Sequence, residues 1–121
     1  MIVVLVVTTI LTQLIKIIVM RPRPYTELSN LILLDLGTDY SFPSGHTSAA
    51  FALFTCLALM TPRRLAPLWM TAAWAVAYSR IYLSQHFLED ILSGSLIGMI
   101  SSCAVYMIID HFINKKKSSV Q

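Results

Sequence analysis

The sequence predicts an all-α fold, an integral membrane bundle of about four transmembrane helices, and two observations point there. The 121 residues are 56% hydrophobic and only 12% charged, where an average soluble domain has roughly 45–50% and 25%. That apolar excess is more than a small core absorbs, and a bilayer accommodates it. The apolar residues also fall into long runs broken by proline-bearing, basic or polar stretches, the layout of helices joined by loops. The length allows a single membrane-embedded domain over 1–121; Pro and Gly are too scattered for a linker, and no internal repeat is present.

The first span is expected at 1–20. It is apolar apart from Thr8, Thr9, Thr12, Gln13 and Lys16, and at 1.5 Å per residue it crosses a hydrocarbon core of roughly 30 Å. A cleaved signal peptide is the competing reading, but no basic segment precedes the run and no small-residue cleavage site follows it. Arg21-Pro22-Arg23-Pro24 ends the helix, because each proline lacks an N–H and pushes the residue before it out of the α region. A loop over 21–43 follows. Its Leu31-Ile32-Leu33-Leu34 run is too short to span and reads as interfacial or re-entrant. Further spans are expected at 44–61, 64–83 and 86–113, with a tail over 114–121. The brief Thr61 to Pro67 connection makes the second and third spans an antiparallel pair.

Orientation follows from the basic residues. Arg63, Arg64 and Lys115 to Lys117 flank one set of helix ends, which should be cytoplasmic. Lys16, Arg21, Arg23 and Arg80 flank the other set, against the usual bias, which suggests a task on the extracytoplasmic face. This distribution explains the formal charge of +3 without nucleic acid as a partner. Cys56 and Cys103 lie inside apolar runs, which reads as packing and excludes a spaced disulfide or zinc framework.

The up-and-down path brings three polar clusters to that outer face: Lys16 with Arg23-Pro24, Pro43-Ser44-Gly45-His46, and Ser79-Arg80 with His86 and Asp90. A phosphoryl group needs cations and backbone donors aimed at its oxygens. Lys16, Arg23 and Arg80 supply the cations, the arginines offering planar forks suited to bidentate contact. Ser44 and Gly45 stand at a helix start, where free N–H groups favour an anion. His86 and Asp90 are four apart on one helical face, so the carboxylate can hold one ring nitrogen and leave the other to attack phosphorus. His46 is then the acid for the leaving group and the base for water. Each element alone has a blander meaning: a span-end lysine commonly snorkels, Pro-Ser-Gly-His is an ordinary helix start, and a His and Asp four apart can be a structural pair. Arg63, Arg64 and the lysine tail read as topology signals, His111 as interfacial, and Trp69 and Trp74 as packing or belt residues.

Taken together, the three clusters resemble the type 2 phosphatidic acid phosphatase superfamily, which includes glucose-6-phosphatase and the vanadium haloperoxidases. Its motifs occur in order: Lys16, six residues, Arg23-Pro24; then Pro43-Ser44-Gly45-His46; then Ser79-Arg80, five residues, His86, three residues, Asp90. The resemblance implies that Lys16, Arg23, Ser44, Gly45 and Arg80 bind phosphate. It makes His86 the nucleophile, Asp90 its orienting partner and His46 the general acid. It also implies an all-helical fold and hydrolysis with neither metal nor other cofactor. Membrane members resemble six-span bundles whose first motif follows the third span. This chain opens in that span, so two helices are expected to be absent from it, and its exposed faces to be buried against partners or copies of itself.

The expected function is hydrolysis of a lipid phosphate or diphosphate through a phosphohistidine, at the extracytoplasmic face of a bacterial cytoplasmic membrane. Phosphatidic acid, phosphatidylglycerol phosphate and a polyprenyl diphosphate are not separated by the sequence. Three readings compete. A vanadate-holding haloperoxidase would share the pocket, but those relatives are soluble. A membrane binder or transporter of phosphorylated head groups would have little use for a histidine oriented by Asp90. A zinc hydrolase on His46, His86 and Asp90 would place a divalent ion beside Lys16, Arg23 and Arg80, which repel it.

Overall fold

The structure, a computed structural model, describes residues 1–24 and 40–118, apart from the side chain of Lys117. Among the described residues there are four α-helices, α1 (Ile2–Val19), α2 (Gly45–Met60), α3 (Ala66–Tyr82) and α4 (Leu88–Ser118), with a 3₁₀ turn at Arg63–Leu65 and no strand. The Leu31 to Leu34 segment lies outside the described residues.

Local chemistry sets the helix ends. α1 stops where Met20 turns left-handed, at φ 51°, and its N–H bonds back to the Lys16 carbonyl at 2.9 Å; Pro22 prevents resumption. α2 starts at Ser44, whose hydroxyl caps the Thr47 N–H at 3.4 Å. α3 opens with Pro67 in its first turn, where the missing N–H costs nothing. In the first turn of α4 the Asp90 carboxylate reaches back to the Phe87 N–H at 2.9 Å, the return half of a capping box.

α2 is the central helix and packs against the other three. Its contact with α4 is backbone on backbone. A Cβ added to Gly98 would stand 2.4 Å from the Ser48 carbonyl oxygen and 2.7 Å from the Ala52 nitrogen, and one on Gly94 would stand 2.8 Å from the Ser44 oxygen. Gly94 and Gly98 are thus the small-xxx-small face by which membrane helices approach closely. One turn further, Ser102 Oγ donates to the Ala52 carbonyl at 2.5 Å. On the opposite flank Phe51, Ala73, Ala77 and Ile91 form a buried cluster, with Phe51 edge-on to Trp74 at 5.1 Å between ring centroids. α1 presents Val4, Thr8, Thr12 and Lys16 inward, and Thr12 Oγ1 meets Ser48 Oγ of α2 at 2.9 Å.

The outward faces are apolar: Ile2 and Ile18 are 77% and 79% exposed, and Leu96, Ile100, Met107 and Phe112 line the outside of α4. Two helices, α1 and α4, are long and apolar enough to cross a membrane, and α2 is a shorter apolar helix. α4 extends to Ser118, past the span expected at 86–113, because Lys115 and Lys116 are good helix formers and carry the helix into the tail. Cys103 is a second departure, lying exposed on α4 while Cys56 is buried.

Candidate active site

The three polar clusters meet at one end of the bundle, around a cavity of about 280 Å³. Lys16, Arg23, Gly45, His46 and His86 line it, drawn from the end of α1, the start of α2 and the turn before α4. Lys16 is 3% exposed and Arg23 7%. Two buried cations facing one cavity make it electropositive, which suits an anionic ligand. Lys16 Nζ donates to the Tyr40 carbonyl at 2.5 Å, which aims the side chain away from the apolar body of α1. Gly45 has nothing within 4 Å of the position a Cβ would take, so the helix start it occupies is open to a ligand.

Three expected site residues stand behind this wall. Ser44 is fully buried: its hydroxyl pairs with Thr47 Oγ1 at 2.9 Å and its N–H donates to the Asp90 carbonyl at 3.0 Å, so it holds the cradle in place from behind. Arg80 donates through Nε to Ser79 Oγ at 3.1 Å and through Nη1 to Gln85 Oε1 at 3.3 Å, and is not among the cavity's lining residues. Asp90 is fully buried beneath His86, with Oδ2 3.6 Å from Nδ1 of the ring. That separation exceeds a hydrogen bond, and His86 Nδ1 is a buried nitrogen with no hydrogen-bond partner among the described residues. A small rotation of the ring toward Asp90 would bring the pair within hydrogen-bond reach.

Asp90 is itself held on both oxygens. Oδ2 accepts from the Ser41 hydroxyl and the Phe87 N–H, and Oδ1 accepts from Arg21 Nη1 at 3.1 Å. Arg21 also reaches Glu89 at 2.7 Å, lies 4.2 Å over the Phe87 ring, and accepts the Ser41 N–H at 2.8 Å on its backbone oxygen. It therefore ties the segment after α1 to Ser41 and to the start of α4. Its hydrogen bond to Glu89, with the nearby Asp90 charge, raises the guanidinium pKa above its ordinary value against the opposing effect of burial. Gln85 plays a similar part on the other side. Its carbonyl accepts from Arg23 Nη1 at 3.5 Å while its amide oxygen accepts from Arg80, so one residue spaces two cations.

Ser41 and Gln85 were not singled out from sequence, and Arg21 only as a basic residue at the outer helix ends, without a role in the site. Arg21 carried a signal, its charge opposite the Glu89-Asp90 pair, and so did Gln85, a polar neighbour of His86. Ser41 carried none. Among the described residues no three His, Cys, Asp or Glu side chains gather as a metal-ligand set.

Fold and site define an all-helical integral membrane protein with a cationic, histidine-bearing cavity at one end of its bundle. A model of the PAP2 superfamily matches residues 1–113, and the chain belongs to that superfamily. It is 32% identical over 94 residues to an undecaprenyl-diphosphatase of Sulfolobus acidocaldarius, covering 77% of this chain and 46% of that protein. It is 38% identical over 74 residues to a lipid A 4'-phosphatase of Porphyromonas gingivalis, covering 60% of this chain and 31% of that protein. The crystal structure of Aquifex aeolicus LpxE superposes with a TM-score of 0.78 at 32% identity, over 85% of this chain and 62% of the other. The chain thus spans less than half the length of these curated relatives.

Proposed function

We propose that the protein hydrolyses a lipid phosphate or diphosphate at the extracytoplasmic face of the membrane, through a phosphohistidine on His86 and without a metal ion. The observation that carries this reading is the meeting of Lys16, Arg23, Gly45, His46 and His86 on one cavity from three distant segments. The names of the relatives, an undecaprenyl-diphosphatase and a lipid A phosphatase, support lipid-linked phosphate as the substrate class.

In this reading all four helices span the bilayer, the site lies at the end opposite Arg63, Arg64 and Lys115, and the phosphoryl oxygens rest on Lys16, Arg23 and the α2 N-terminus at Gly45. Arg80 and Ser44 complete the phosphate site, Arg80 swinging from Gln85 and Ser44 fixing the start of α2. Nδ1 of His86 faces Asp90, so Nε2 is the attacking atom. Its lone pair forms a P–N bond as the P–O bond to the leaving group breaks. His46 protonates the departing oxygen, and Asp90 stabilises the positive ring. His46 next takes a proton from water, whose oxygen attacks phosphorus; the P–N bond breaks and inorganic phosphate departs. Two buried cations suit this route because they stabilise the charge gathering on the equatorial oxygens, which a dry site strengthens.

The test is phosphate release from a panel of lipid phosphates by the detergent-purified chain, with EDTA present, for the natural sequence and for His86→Ala. EDTA-resistant release lost in the variant is expected. Release abolished by EDTA would overturn the mechanism, and no release by a folded chain would favour a head-group binder.

A further inference from the structure

The cavity does not stop at the phosphate cradle. It continues along α1 toward the middle of the helix, where Thr12, Gln13 and Thr9 line it opposite Ser48 and Ala49 of α2. At 1.5 Å per residue Gln13 lies roughly 5 Å and Thr9 roughly 10 Å below Lys16 along the helix axis. At 100° per residue, all five polar residues of α1 (Thr8, Thr9, Thr12, Gln13, Lys16) fall within an arc of about 140°, and the rest of the helix is apolar.

The arc has two edges that differ in their bonding. Along the buried edge every hydroxyl is satisfied inside the protein: Thr8 donates to the Val4 carbonyl at 2.8 Å, and Thr12 pairs with the Thr8 carbonyl and with Ser48. Along the cavity edge the Gln13 amide and the Thr9 hydroxyl make no side-chain hydrogen bond among the described residues, and both are exposed. An amide presented to hydrocarbon without a partner costs several kcal/mol. Placed inside the cavity rather than against lipid, it is matched by whatever polar group enters there.

We propose that Gln13 and Thr9 form a leaving-group subsite, which recognises a neutral hydrogen-bond acceptor carried on the membrane side of the scissile phosphate. This deepens the phosphatase reading and rests on it. The chemistry it selects is the carbonyl of an acyl ester or amide, as borne by a phosphoglyceride or an acylated sugar phosphate. These place acceptors one to two helical turns below the phosphorus. A prenyl diphosphate offers its retained phosphate close to the cradle and only hydrocarbon at the depth of Thr9. Neutral donors suit a carbonyl, whereas a second phosphate calls for cations, and the described lining at this depth contains none.

The experiment compares Gln13→Leu and Thr9→Val with the natural sequence on phosphatidic acid, a prenyl diphosphate and dodecyl phosphate, which has no acceptor beyond its phosphate. The ratio of kcat/KM for phosphatidic acid to that for dodecyl phosphate should fall about tenfold in Gln13→Leu and by somewhat less in Thr9→Val, the size of one lost neutral hydrogen bond. Equal losses on phosphatidic acid and dodecyl phosphate, or no loss on either, would overturn the subsite. A ratio that falls only for the prenyl diphosphate would assign the acceptor to a retained phosphate and overturn the carbonyl assignment. Binding of phosphatidic acid and of dodecyl phosphate to the His86→Ala chain, with and without Gln13→Leu, reads the same preference without turnover. Absence of hydrolysis therefore counts against the phosphatase reading alone, while an unchanged binding preference counts against the subsite.

Discussion

Arg21→Ala removes the donor that lies 3.1 Å from Oδ1 of the buried Asp90 carboxylate, together with the cation over Phe87. A hydrogen bond to a charged group contributes about 1.5–3 kcal/mol. The Arg21 side chain is 31% exposed, so screening by water places the effect at the low end of that range, a loss of about tenfold in kcat/KM. If Arg21 acts by positioning Asp90 toward His86, the loss falls on kcat rather than KM, because Arg21 does not line the cavity. The assay is phosphate release by four proteins: the natural sequence, Arg21→Ala, Asp90→Ala and the double variant. Acting through Asp90, Arg21→Ala should cost less than about twofold once Asp90 is gone, a strong departure from additivity. Glu89→Ala serves as the control, since its carboxylate is 69% exposed and its pairing with Arg21 contributes little. Losses that multiply in the double variant would refute the positioning argument and leave Arg21 as a structural strap.

Three more outcomes follow from the same geometry. Gly98→Ala should destabilise the protein by about 1–3 kcal/mol, seen as a lower detergent melting temperature, because its Cβ would meet α2 backbone at 2.4 Å. Gly45→Ala should leave the melting temperature unchanged, having no atom within 4 Å of its Cβ, yet raise KM by filling the open helix start at the cavity. His46→Ala should slow formation of the phosphoenzyme from an alkyl phosphate by roughly 100-fold or more and from a nitrophenyl phosphate far less, since the second leaving group needs no proton, while the later attack of water is slowed alike for both; equal slowing of the formation step would remove His46 from the acid role.

How far the molecule was legible from sequence varies by the range of the interactions involved. The helix ends were readable because local chemistry sets them: Pro22 and Pro24 after α1, Ser44 before α2, Pro62 and Pro67 between α2 and α3. The convergence of Lys16, Arg23, His46 and His86 followed from the up-and-down alternation of the helices, which leaves every second connection at one end of the bundle. Contacts between distant segments were less readable. Ser41 looks like any loop serine until the fold brings it to Asp90, and Gln85 looks like a spacer until Arg23 and Arg80 arrive on either side. Gly94 and Gly98 carried a recognisable spacing, but its meaning depends on α2 lying against that face. The engagement of Ser44 by Thr47 and Asp90, and of Arg80 by Gln85, likewise depends on packing that no spacing rule encodes.

The proposed hydrolysis passes through a covalent bond between phosphorus and His86. The most direct measurement quenches the chain at early times with a phosphorus-labelled lipid phosphate and follows label retained on the protein. A phosphohistidine route gives a label that is acid-labile and base-stable, absent from His86→Ala and, with a labelled nitrophenyl phosphate whose leaving group needs no acid, accumulating in His46→Ala, where water is no longer activated. Label that never forms while phosphate is released, or label that persists in His86→Ala, would contradict it.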